Sequence, residues 1–481
     1  MKHNPKLILV LLSLTQLLVV IDSVIVNLAL PAIKSALHFD TASLQWVLTA
    51  YILTFGGFLM LGGRTADLFG RRRVLVLGIA AFTLCSLLLG FAGSATALIV
   101  LRALEGLGAA FMSPAALSIL LTIYPEGDQR NRALSVWSMV LSGGAAVGVI
   151  LGGALTQYVG WRWNFFINVP LGIFTIAGIL RWVPAHAEEA SDRHLDLPGA
   201  VLVTGGLIAL VYALTLAARS GWADPSTLVS LALSLALLAA FLVNETRSKH
   251  PLVPLSIFRI RNVSGGNLVM LPLVGAAIGI GYFASLYVQN VLHYPPAVSG
   301  LSFLPFPILI GVISNLAPRL ISRFGFKPLL VAGTALIALG VFLLSFLQAD
   351  SSYFGQLFPA FVIMAAGDGL AFVAGTVAAT TGVRGQEAGL ASGLVNTSQQ
   401  VGGALGLAVL SAAASTVTSA GLAGGQGLVQ ATLHGYQLAF LVASLMLVGA
   451  LVVAVTVIRA PKPMLEAERG CPDAGSLEMD C

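Results

Sequence analysis

Four ionisable side chains lie inside long apolar stretches of the sequence, where a charge would have little water to solvate it. They are Asp22, Arg102, Glu105 and Asp368. A charged side chain at the centre of a bilayer costs about 2.5–3.5 kcal/mol on insertion scales, so such residues usually face a protein interior or a wet cavity. A carboxyl group taken out of water favours its neutral, proton-bearing form. The four residues therefore predict proton binding and release within a membrane.

Each of these residues also has a purely structural interpretation. Arg102 and Glu105 are three residues apart, so they share one face of a helix and can form either a proton relay or a static ion pair. Asp22 is a proton carrier or a permanently hydrogen-bonded carboxyl that holds its helix in place. Asp368, which lies between two glycines, is a second proton site, the counter-charge for a cationic substrate, or a residue near a helix kink.

The elements that carry these residues are predicted to be membrane-spanning helices. Charged residues make up 9% of the 481 and hydrophobic residues 57%, which leaves too little charge to cover a soluble protein of this length. A bilayer core needs about 20 apolar residues of helix. Fourteen such segments are predicted, at 7–30, 44–63, 74–93, 98–121, 134–156, 164–183, 197–217, 226–244, 264–289, 298–318, 328–347, 356–378, 389–414 and 436–458.

The distribution of Lys and Arg predicts the orientation of these spans. With the amino terminus inside, 21 of the 25 lie in cytoplasmic segments, Arg102 lies within span 4, and only Lys34, Arg162 and Arg219 lie outside. This bias predicts that both termini are cytoplasmic. It also accounts for the net charge of +5 without a nucleic-acid partner, and no nucleic-acid-binding motif is present.

Two basic links repeat along the chain and predict two related halves. The link at 63–73 follows span 2 and the link at 318–327 follows span 10, with Arg64 matching Arg319 and Gly70 matching Gly325 at an offset of 255. Duplicated bundles of this kind are typical of transporters. The predicted domains are an amino-terminal six-helix bundle at 1–185, two inserted spanning helices at 186–250, a carboxy-terminal six-helix bundle at 251–460 and a polar cytoplasmic tail at 461–481.

Several motifs resemble those of the major facilitator superfamily, specifically its fourteen-span drug:proton antiporters. The link at 63–73 is similar to the loop signature Gly-x-Leu-Ala-Asp-Arg-x-Gly-Arg-Lys, and residues 22–31, 102–110 and 161–170 are similar to signatures of spans 1, 4 and 6. The likeness covers nearly the whole chain. It implies an all-α integral membrane protein with the major facilitator fold, in which two six-helix bundles and two inserted central helices export hydrophobic or cationic small molecules by alternating access, driven by protons.

The resemblance also implies roles for two sets of residues. In the loop signature it implies a conformational lock formed by Gly63, Asp67, Gly70, Arg71 and Arg72. The alternatives are an ordinary solvated turn at Asp67 and anchoring of the arginines at the anionic inner leaflet. In span 5 it implies the antiporter motif, matched at Gly144, Gly148, Gly152 and Gly153. Glycines four residues apart also let a helix pack closely against a neighbour. Val149 stands where the family has a proline, so exchange and symport of protons both stay open.

Polar and aromatic side chains on three spans are candidates for the substrate cavity, with interhelical hydrogen bonding as the alternative. They are Asn27, Tyr51, Asn396, Gln399 and Gln400. The expected partners are protons, a small-molecule substrate and the lipid bilayer of a bacterial inner membrane, and a periplasmic adaptor is a further candidate. We expect a working monomer without cofactor or metal. The alternative function is proton-coupled transport of a specific metabolite, while an enzyme is disfavoured because no catalytic or Walker motif is present.

Overall fold

The computed structural model describes residues 5–40, 43–124, 128–184, 196–248, 251–383 and 388–459, and every regular element within them is helical. A helix satisfies its backbone hydrogen bonds internally, which is what a lipid-exposed segment requires. The predicted tail at 461–481 and much of the link that precedes the inserted helices lie outside the described residues.

The amino-terminal bundle contains seven helical segments. They are α1 (Pro5–Leu37), α2 (Trp46–Phe69), α3 (Arg71–Gly90), α4 (Ala95–Ile123), α5 (Asp128–Tyr158), α6 (Trp163–Phe166) and α7 (Asn168–Trp182). The last two together form the predicted span 6. The two inserted helices are α8 (Leu197–Ser220) and α9 (Pro225–Arg247).

The carboxy-terminal bundle begins after a short 3-10 helix at Leu255–Arg259 and also has seven helical segments. They are α10 (Arg261–Asn290), α11 (Pro296–Phe303), α12 (Pro305–Phe324), α13 (Phe326–Leu344), α14 (Phe358–Thr380), α15 (Ala388–Ala423) and α16 (Leu428–Thr456). A π-helical turn at Tyr353–Leu357 precedes α14. The predicted span 10 is divided into α11 and α12, and the helical bonding is interrupted at Leu304, immediately before a proline that cannot donate a backbone hydrogen bond.

The number of helices agrees approximately with fourteen spans. Thirteen helices among the described residues are long and apolar enough to cross a membrane. The predicted fifth span is not among these thirteen but falls within α5, which is a continuous helix of 31 residues. The all-helical, multi-pass architecture predicted from the sequence is therefore confirmed.

The two repeated basic links each turn at a glycine with a positive φ angle. Gly70 separates α2 from α3 with φ +95°, and Gly325 separates α12 from α13 with φ +81°. Both values lie in the region that disfavours residues with a Cβ atom, which explains why glycine occupies both positions. The offset of 255 therefore relates two turns that both require a glycine with positive φ, one in each bundle.

The bundles contact each other through the predicted outer halves of their helices. Ser285 of α10 donates a hydrogen bond to the carbonyl oxygen of Asn27 on α1 (3.0 Å), and the side chain of Gln289 donates to the carbonyl of Leu28 (3.3 Å). The backbone N–H of Ala297, on α11, donates to the side chain of Gln157 on α5 (2.9 Å). These bonds hold α1 and α5 against α10 and α11.

The inserted hairpin lies against both bundles. Its first helix, α8, packs on α2 and on α15, and Gln45 at the start of α2 donates a hydrogen bond to Thr215 on α8 (3.1 Å). The second helix, α9, packs chiefly on α8, and only 11% of its most apolar segment is buried. Near the ends of the hairpin, Asn244 donates to both carboxylate oxygens of Asp196, which also caps α8.

Candidate functional site

Three of the four predicted membrane-embedded charges meet at one point inside the amino-terminal bundle. The Nη1 atom of Arg102 donates to Oδ2 of Asp22 and to Oε2 of Glu105, both at 2.6 Å. The three side chains are 0–1% exposed. Arg102 and Glu105 lie on α4 and Asp22 on α1, so the cluster joins two helices. We refer to Asp22, Arg102 and Glu105 as the ionic cluster.

Neighbouring helices fix the guanidinium of the ionic cluster. The Nε atom of Arg102 donates to the backbone carbonyl of Val47 on α2 (2.9 Å), and its Cζ atom lies 4.3 Å from the centre of the Tyr51 ring, in the range of a cation–π contact. The Tyr51 side chain is 2% exposed. Tyr51, predicted to line the substrate cavity, therefore packs on the ionic cluster in this structure.

Two neutral residues complete the hydrogen bonding of the carboxylates. Asn168, on α7, donates to Oδ1 of Asp22 (3.1 Å), and Ser86, on α3, donates to Oε1 of Glu105. Asn168 also donates to the hydroxyl of Ser86 (3.3 Å). Charged groups in a protein interior need such partners to offset their lost hydration. The network thus draws on α1, α2, α3, α4 and α7.

The charge of the ionic cluster is unbalanced when all its groups are ionised. One guanidinium faces two carboxylates, so the formal charge is −1. A net charge among buried side chains is unfavourable because its surroundings solvate it poorly. The ionic cluster therefore holds one carboxylate more than its single guanidinium balances.

The glycines of the predicted antiporter motif let α5 approach α1 beside the ionic cluster. A Cβ atom added at Gly144 would lie 2.8 Å from Leu17, and one at Gly152 would lie 3.0 Å from Ile25. At Gly148 it would lie 3.2 Å from Val24, two residues after Asp22.

Gly153, on a different face of α5, contacts the other bundle. A Cβ atom there would lie 2.5 Å from the carbonyl oxygen of Pro296 at the start of α11.

The predicted lock residues lie at the ends of α2 and α3 and contact their own bundle. The carboxylate of Asp67 accepts a hydrogen bond from Nε of Arg71 (3.1 Å), with 49% and 25% of the two side chains exposed. Arg71 also donates to the hydroxyl of Thr122 at the end of α4, and Arg72 donates to the carbonyl of Leu180 on α7. Gly63 faces Pro114 of α4 at an ordinary contact distance, and Gly70 forms the turn.

The remaining candidates for the substrate cavity lie on α1 and α15. The side chain of Asn27 donates to the carbonyl of Ser23 (3.2 Å), and its own carbonyl accepts the interbundle bond from α10. On α15, Asn396 is exposed and Gln399 is partly exposed. Gln400 packs against Gly56 of α2, where an added Cβ would lie 2.4 Å from the glutamine Cβ.

Asp368 lies in the other bundle, separate from the ionic cluster. It is partly exposed on α14 and faces a pocket whose other lining residues are apolar. Within the described part of the chain its carboxylate has no hydrogen bond or ion pair. The four membrane-embedded charges predicted from the sequence thus form one paired group of three and one separate carboxylate.

Sequence reasoning did not identify Ser86 and Asn168 as members of the site. Asn168 lies within the motif at 161–170, which offered a signal, whereas Ser86 is one polar residue within an apolar span and offered none. In the part of the chain that the structure describes, no group of three or more His, Cys, Asp or Glu side chains is arranged to hold a metal ion.

Comparisons with known proteins agree with this architecture. The family model described as Major Facilitator Superfamily matches residues 12–407. The puromycin resistance protein of Streptomyces alboniger is 41% identical over 453 residues, which cover 92% of this chain and 90% of that protein. The cephamycin export protein of Amycolatopsis lactamdurans is 40% identical, with 86% and 85% covered, and a multidrug resistance protein of Mycobacterium tuberculosis is 32% identical, with 88% and 78% covered.

Solved structures show the same fold at low sequence identity. A bacterial homologue of the human lysosomal transporter Spinster, in an inward-facing and unoccupied conformation, superposes with a TM-score of 0.67 at 17% identity, covering 96% of this chain and all of that one. A POT family peptide transporter gives a TM-score of 0.67 at 16% identity, covering 94% and 99%. With a family match over most of its length and relatives well above 30% identity, the chain belongs to the major facilitator superfamily.

Proposed function

We propose that this protein exports hydrophobic or cationic small molecules across a bacterial inner membrane in exchange for protons, by alternating access. Relatives named for antibiotic resistance or export align with more than four fifths of the chain. The single observation that supports proton coupling is the ionic cluster, which is buried, lies within the membrane and holds one more carboxylate than cation.

The proton-sensitive contact of this site is the ion pair between α1 and α4. Arg102 and Glu105 lie on the same helix, so their pairing persists when that helix moves. Asp22 lies on α1, and a proton on its carboxylate would remove the charge that attracts Arg102. Protonation therefore weakens the link between the two helices while leaving Arg102 paired.

Helix α1 connects the Asp22–Arg102 ion pair with the interbundle contacts that close the outer side of the protein. Asn27 and Leu28 accept the interbundle hydrogen bonds from α10, and Asn27 is five residues beyond Asp22, about 7.5 Å along the helix. The glycine face of α5 allows α1 to slide because it offers few side chains to interlock. A movement of α1 released at Asp22 would thus be transmitted to the interface between the bundles.

The lock residues restrain the link between α2 and α3. Arg71 ties that link to α4 and Arg72 ties it to α7, so the cytoplasmic ends of four helices move together. We propose that the Asp67–Arg71 pair stabilises one of the alternating conformations. The amino-terminal bundle then moves as a unit against the carboxy-terminal bundle.

The experiment is proton-driven accumulation of ethidium by inverted vesicles, into which an exporter moves its substrate, with Asp22→Asn as the test variant. We expect the variant to lose acceleration by an imposed pH gradient because its cluster is neutral without a proton. Asp350→Asn is the matched control, since Asp350 is an exposed acid in the link before α14. Gradient-driven export at the wild-type rate by Asp22→Asn would refute the coupling role.

A second candidate function is proton-coupled transport of a specific metabolite. It is favoured by Val149, which stands at the motif position where a proline would bend the helix, and by α5, which runs unbroken over 31 residues. The two functions differ in the direction of proton movement. Substrate added outside intact cells alkalinises the medium in symport, whereas exchange for internal substrate does not.

We further propose that the protein works as a monomer without catalysing a covalent reaction. Both bundles, 1–185 and 251–460, and the inserted pair at 186–250 are supplied by one chain, so a complete transport pathway needs no second copy. The monomer is tested by transport into vesicles that each contain a single chain, with the number of chains per vesicle counted by photobleaching.

A periplasmic adaptor would have to bind the outer ends of the helices. Cross-linking of cells followed by co-purification tests for such a partner.

A further inference from the structure

Two acidic side chains meet at the cytoplasmic end of the inserted hairpin. Asp196 lies immediately before α8 and Glu245 lies in the last turn of α9, and the two residues are 9% and 4% exposed. A Cβ atom added at Gly199 would lie 2.6 Å from Oδ2 of Asp196 and 2.9 Å from Oε1 of Glu245. These two oxygens therefore face each other beside Gly199. We refer to Asp196 and Glu245 as the carboxyl pair.

The surroundings of Asp196 favour its ionised form. Its Oδ1 accepts hydrogen bonds from the backbone N–H of Gly199 (2.9 Å) and from the side-chain amide of Asn244 (3.0 Å), and its Oδ2 accepts from the same amide (2.8 Å). The carboxylate also caps the amino-terminal end of α8, where the helix dipole stabilises a negative charge. Asp196 is therefore the member of the pair that carries the charge.

Glu245 has the opposite surroundings. Its Oε2 accepts a hydrogen bond from the backbone N–H of Val253 (2.8 Å), whereas Oε1 is buried and has no donor among the described residues. The Glu245 side chain is instead in hydrogen-bonding contact with Asp196. Carboxylates only accept hydrogen bonds, so a bond between two carboxyl groups requires a proton on one of them. The last turn of a helix disfavours negative charge, which assigns this proton to Glu245.

Nearby charged groups do not neutralise the carboxyl pair. Arg64 of α2, Arg247 of α9 and Arg259 of the 3-10 helix are exposed, and among the described residues none of them forms an ion pair with either acid. Arg261, at the start of α10, donates to two carbonyls at the end of α16. The described part of α15 contains no charged residue. A proton is therefore what allows the two acids to lie together.

The carboxyl pair connects the hairpin with the carboxy-terminal bundle. Glu245 binds the backbone of Val253, which lies in the linker between α9 and α10. Val253 packs against an apolar cluster that includes Val263 of α10 and Ala391 of α15. The base of the hairpin is thus attached through Glu245 to the linker, and through the linker to two helices of that bundle.

We propose that Asp196 and Glu245 bind one proton between them, in a hydrogen bond that closes the cytoplasmic base of the inserted hairpin. The O–H group of Glu245 donates to Oδ2 of Asp196. When the site loses its proton, the O–H bond breaks, the proton passes to water, and two adjacent carboxylates repel each other. The base of the hairpin then opens. This proton site responds to cytoplasmic pH, and it is separate from the ionic cluster and from any substrate.

Infrared spectroscopy of the purified protein detects the shared proton, because a protonated carboxyl has a C=O stretching band that a carboxylate lacks. Spectra are recorded at about pH 5.5, where a glutamate in water is almost wholly ionised. We expect one such band in the wild type that is missing in Glu245→Gln. Asp196→Asn should also lose it, because the introduced amide can donate to an ionised Glu245. Asp224→Asn is the matched control and should keep the band, since Asp224 caps α9 at the far end of the hairpin.

A variant of Gly199 tests the place where the two groups meet without altering either of them. The Cβ atom of Gly199→Ala would stand 2.6 and 2.9 Å from the two oxygens, closer than carbon and oxygen normally approach. It should part them and remove the band. Gly205→Ala is the matched control, because Gly205 lies on the same helix and its added Cβ would be 3.6 Å from Leu237, an ordinary contact.

Hydrogen exchange of the backbone N–H groups in the first turn of α8 tests the closing role. Each opening of the base releases the proton that the closed form keeps. Opening should therefore become tenfold more favourable per pH unit, over the range in which the band persists above about pH 4.3, the value for a free glutamate. In Glu245→Gln the introduced amide donates to Asp196 at every pH. The ratio of wild-type to variant exchange rates, measured at equal pH, should rise tenfold per unit.

Four outcomes would overturn the proposal. A wild-type spectrum without the Glu245 band would exclude the bound proton, and a band that persists in Asp196→Asn would exclude its sharing. A band unchanged in Gly199→Ala would exclude the meeting place, and an exchange ratio independent of pH would exclude the closing role. None of these measurements involves transport, so wild-type vesicles that fail to accumulate ethidium would refute the proposed function and leave the carboxyl pair standing.

Discussion

Removing the cation of the ionic cluster should be far more damaging than removing either acid. In Arg102→Gln, two buried carboxylates lose their shared partner, and the hydrogen bond to the Val47 carbonyl is lost as well. The formal charge of the ionised site changes from −1 to −2. Breaking a buried ion pair from one side costs about 3–5 kcal/mol, so we expect a loss of this size in the free energy of unfolding.

The acid variants provide the comparison. Asp22→Asn and Glu105→Gln each leave one guanidinium and one carboxylate, a balanced pair, and both replacements can still accept a hydrogen bond. We expect each to lose about 0.5–1.5 kcal/mol, the net contribution of a typical hydrogen bond. In the double variant Asp22→Asn/Arg102→Gln, Glu105 is the acid that remains, and it can be neutral. The loss in the free energy of unfolding should therefore be smaller than the sum of the losses in the two single variants.

Unfolding in mixed micelles with increasing SDS, followed by tryptophan fluorescence, measures these differences. The same preparations should be tested for ethidium binding to show that each folded state is intact. If Arg102→Gln loses no more stability than Asp22→Asn, or if the double variant is fully additive, the two acids do not depend on a shared cation. The account of the cluster as one electrostatic unit would then be wrong.

Three further predictions concern the helix interfaces and the lock. Gly153→Val should keep α5 from the Pro296 carbonyl and open the outer side, seen as faster modification of a single cysteine introduced on the outer half of α10. Gly148→Leu should cost about 1–3 kcal/mol of unfolding free energy by overpacking the interface with α1, and should slow export more than it weakens ethidium binding. Asp67→Asn removes an exposed pair with Arg71, so unfolding should change by less than about 1 kcal/mol while the rate of export falls. Unchanged export in Asp67→Asn would exclude the lock.

Most of the fold could be predicted because few backbone conformations are stable in contact with lipid. An apolar run of about 20 residues must be helical to satisfy its backbone, so the spans follow from hydropathy alone. Details set by local bonding could not be predicted. Span 10 breaks at Leu304 into α11 and α12, and α15 extends nine residues beyond the predicted end at 414.

The site could be predicted only where its residues share one helix. The spacing of Arg102 and Glu105 placed them on one face of α4, but nothing in the sequence says which helix lies opposite. Pairing with Asp22 depends on how α1 packs, and the bonds from Ser86 and Asn168 depend on α3 and α7. The predicted bundle boundaries already placed Asp368 apart from the other three charges, whereas the pairing of those three required the packing of α1 against α4.

The inserted hairpin makes the two flanks of the transporter unequal. Because α8 lies across the junction of α2 and α15, lipid chains on that flank meet a helix in place of a gap between the bundles. On the opposite flank, α5 meets α11 and α12 without a covering element among the described residues. The two interfaces between the bundles therefore differ in what separates them from lipid: a helix of the same chain screens one, and α5, α11 and α12 alone form the other among the described residues.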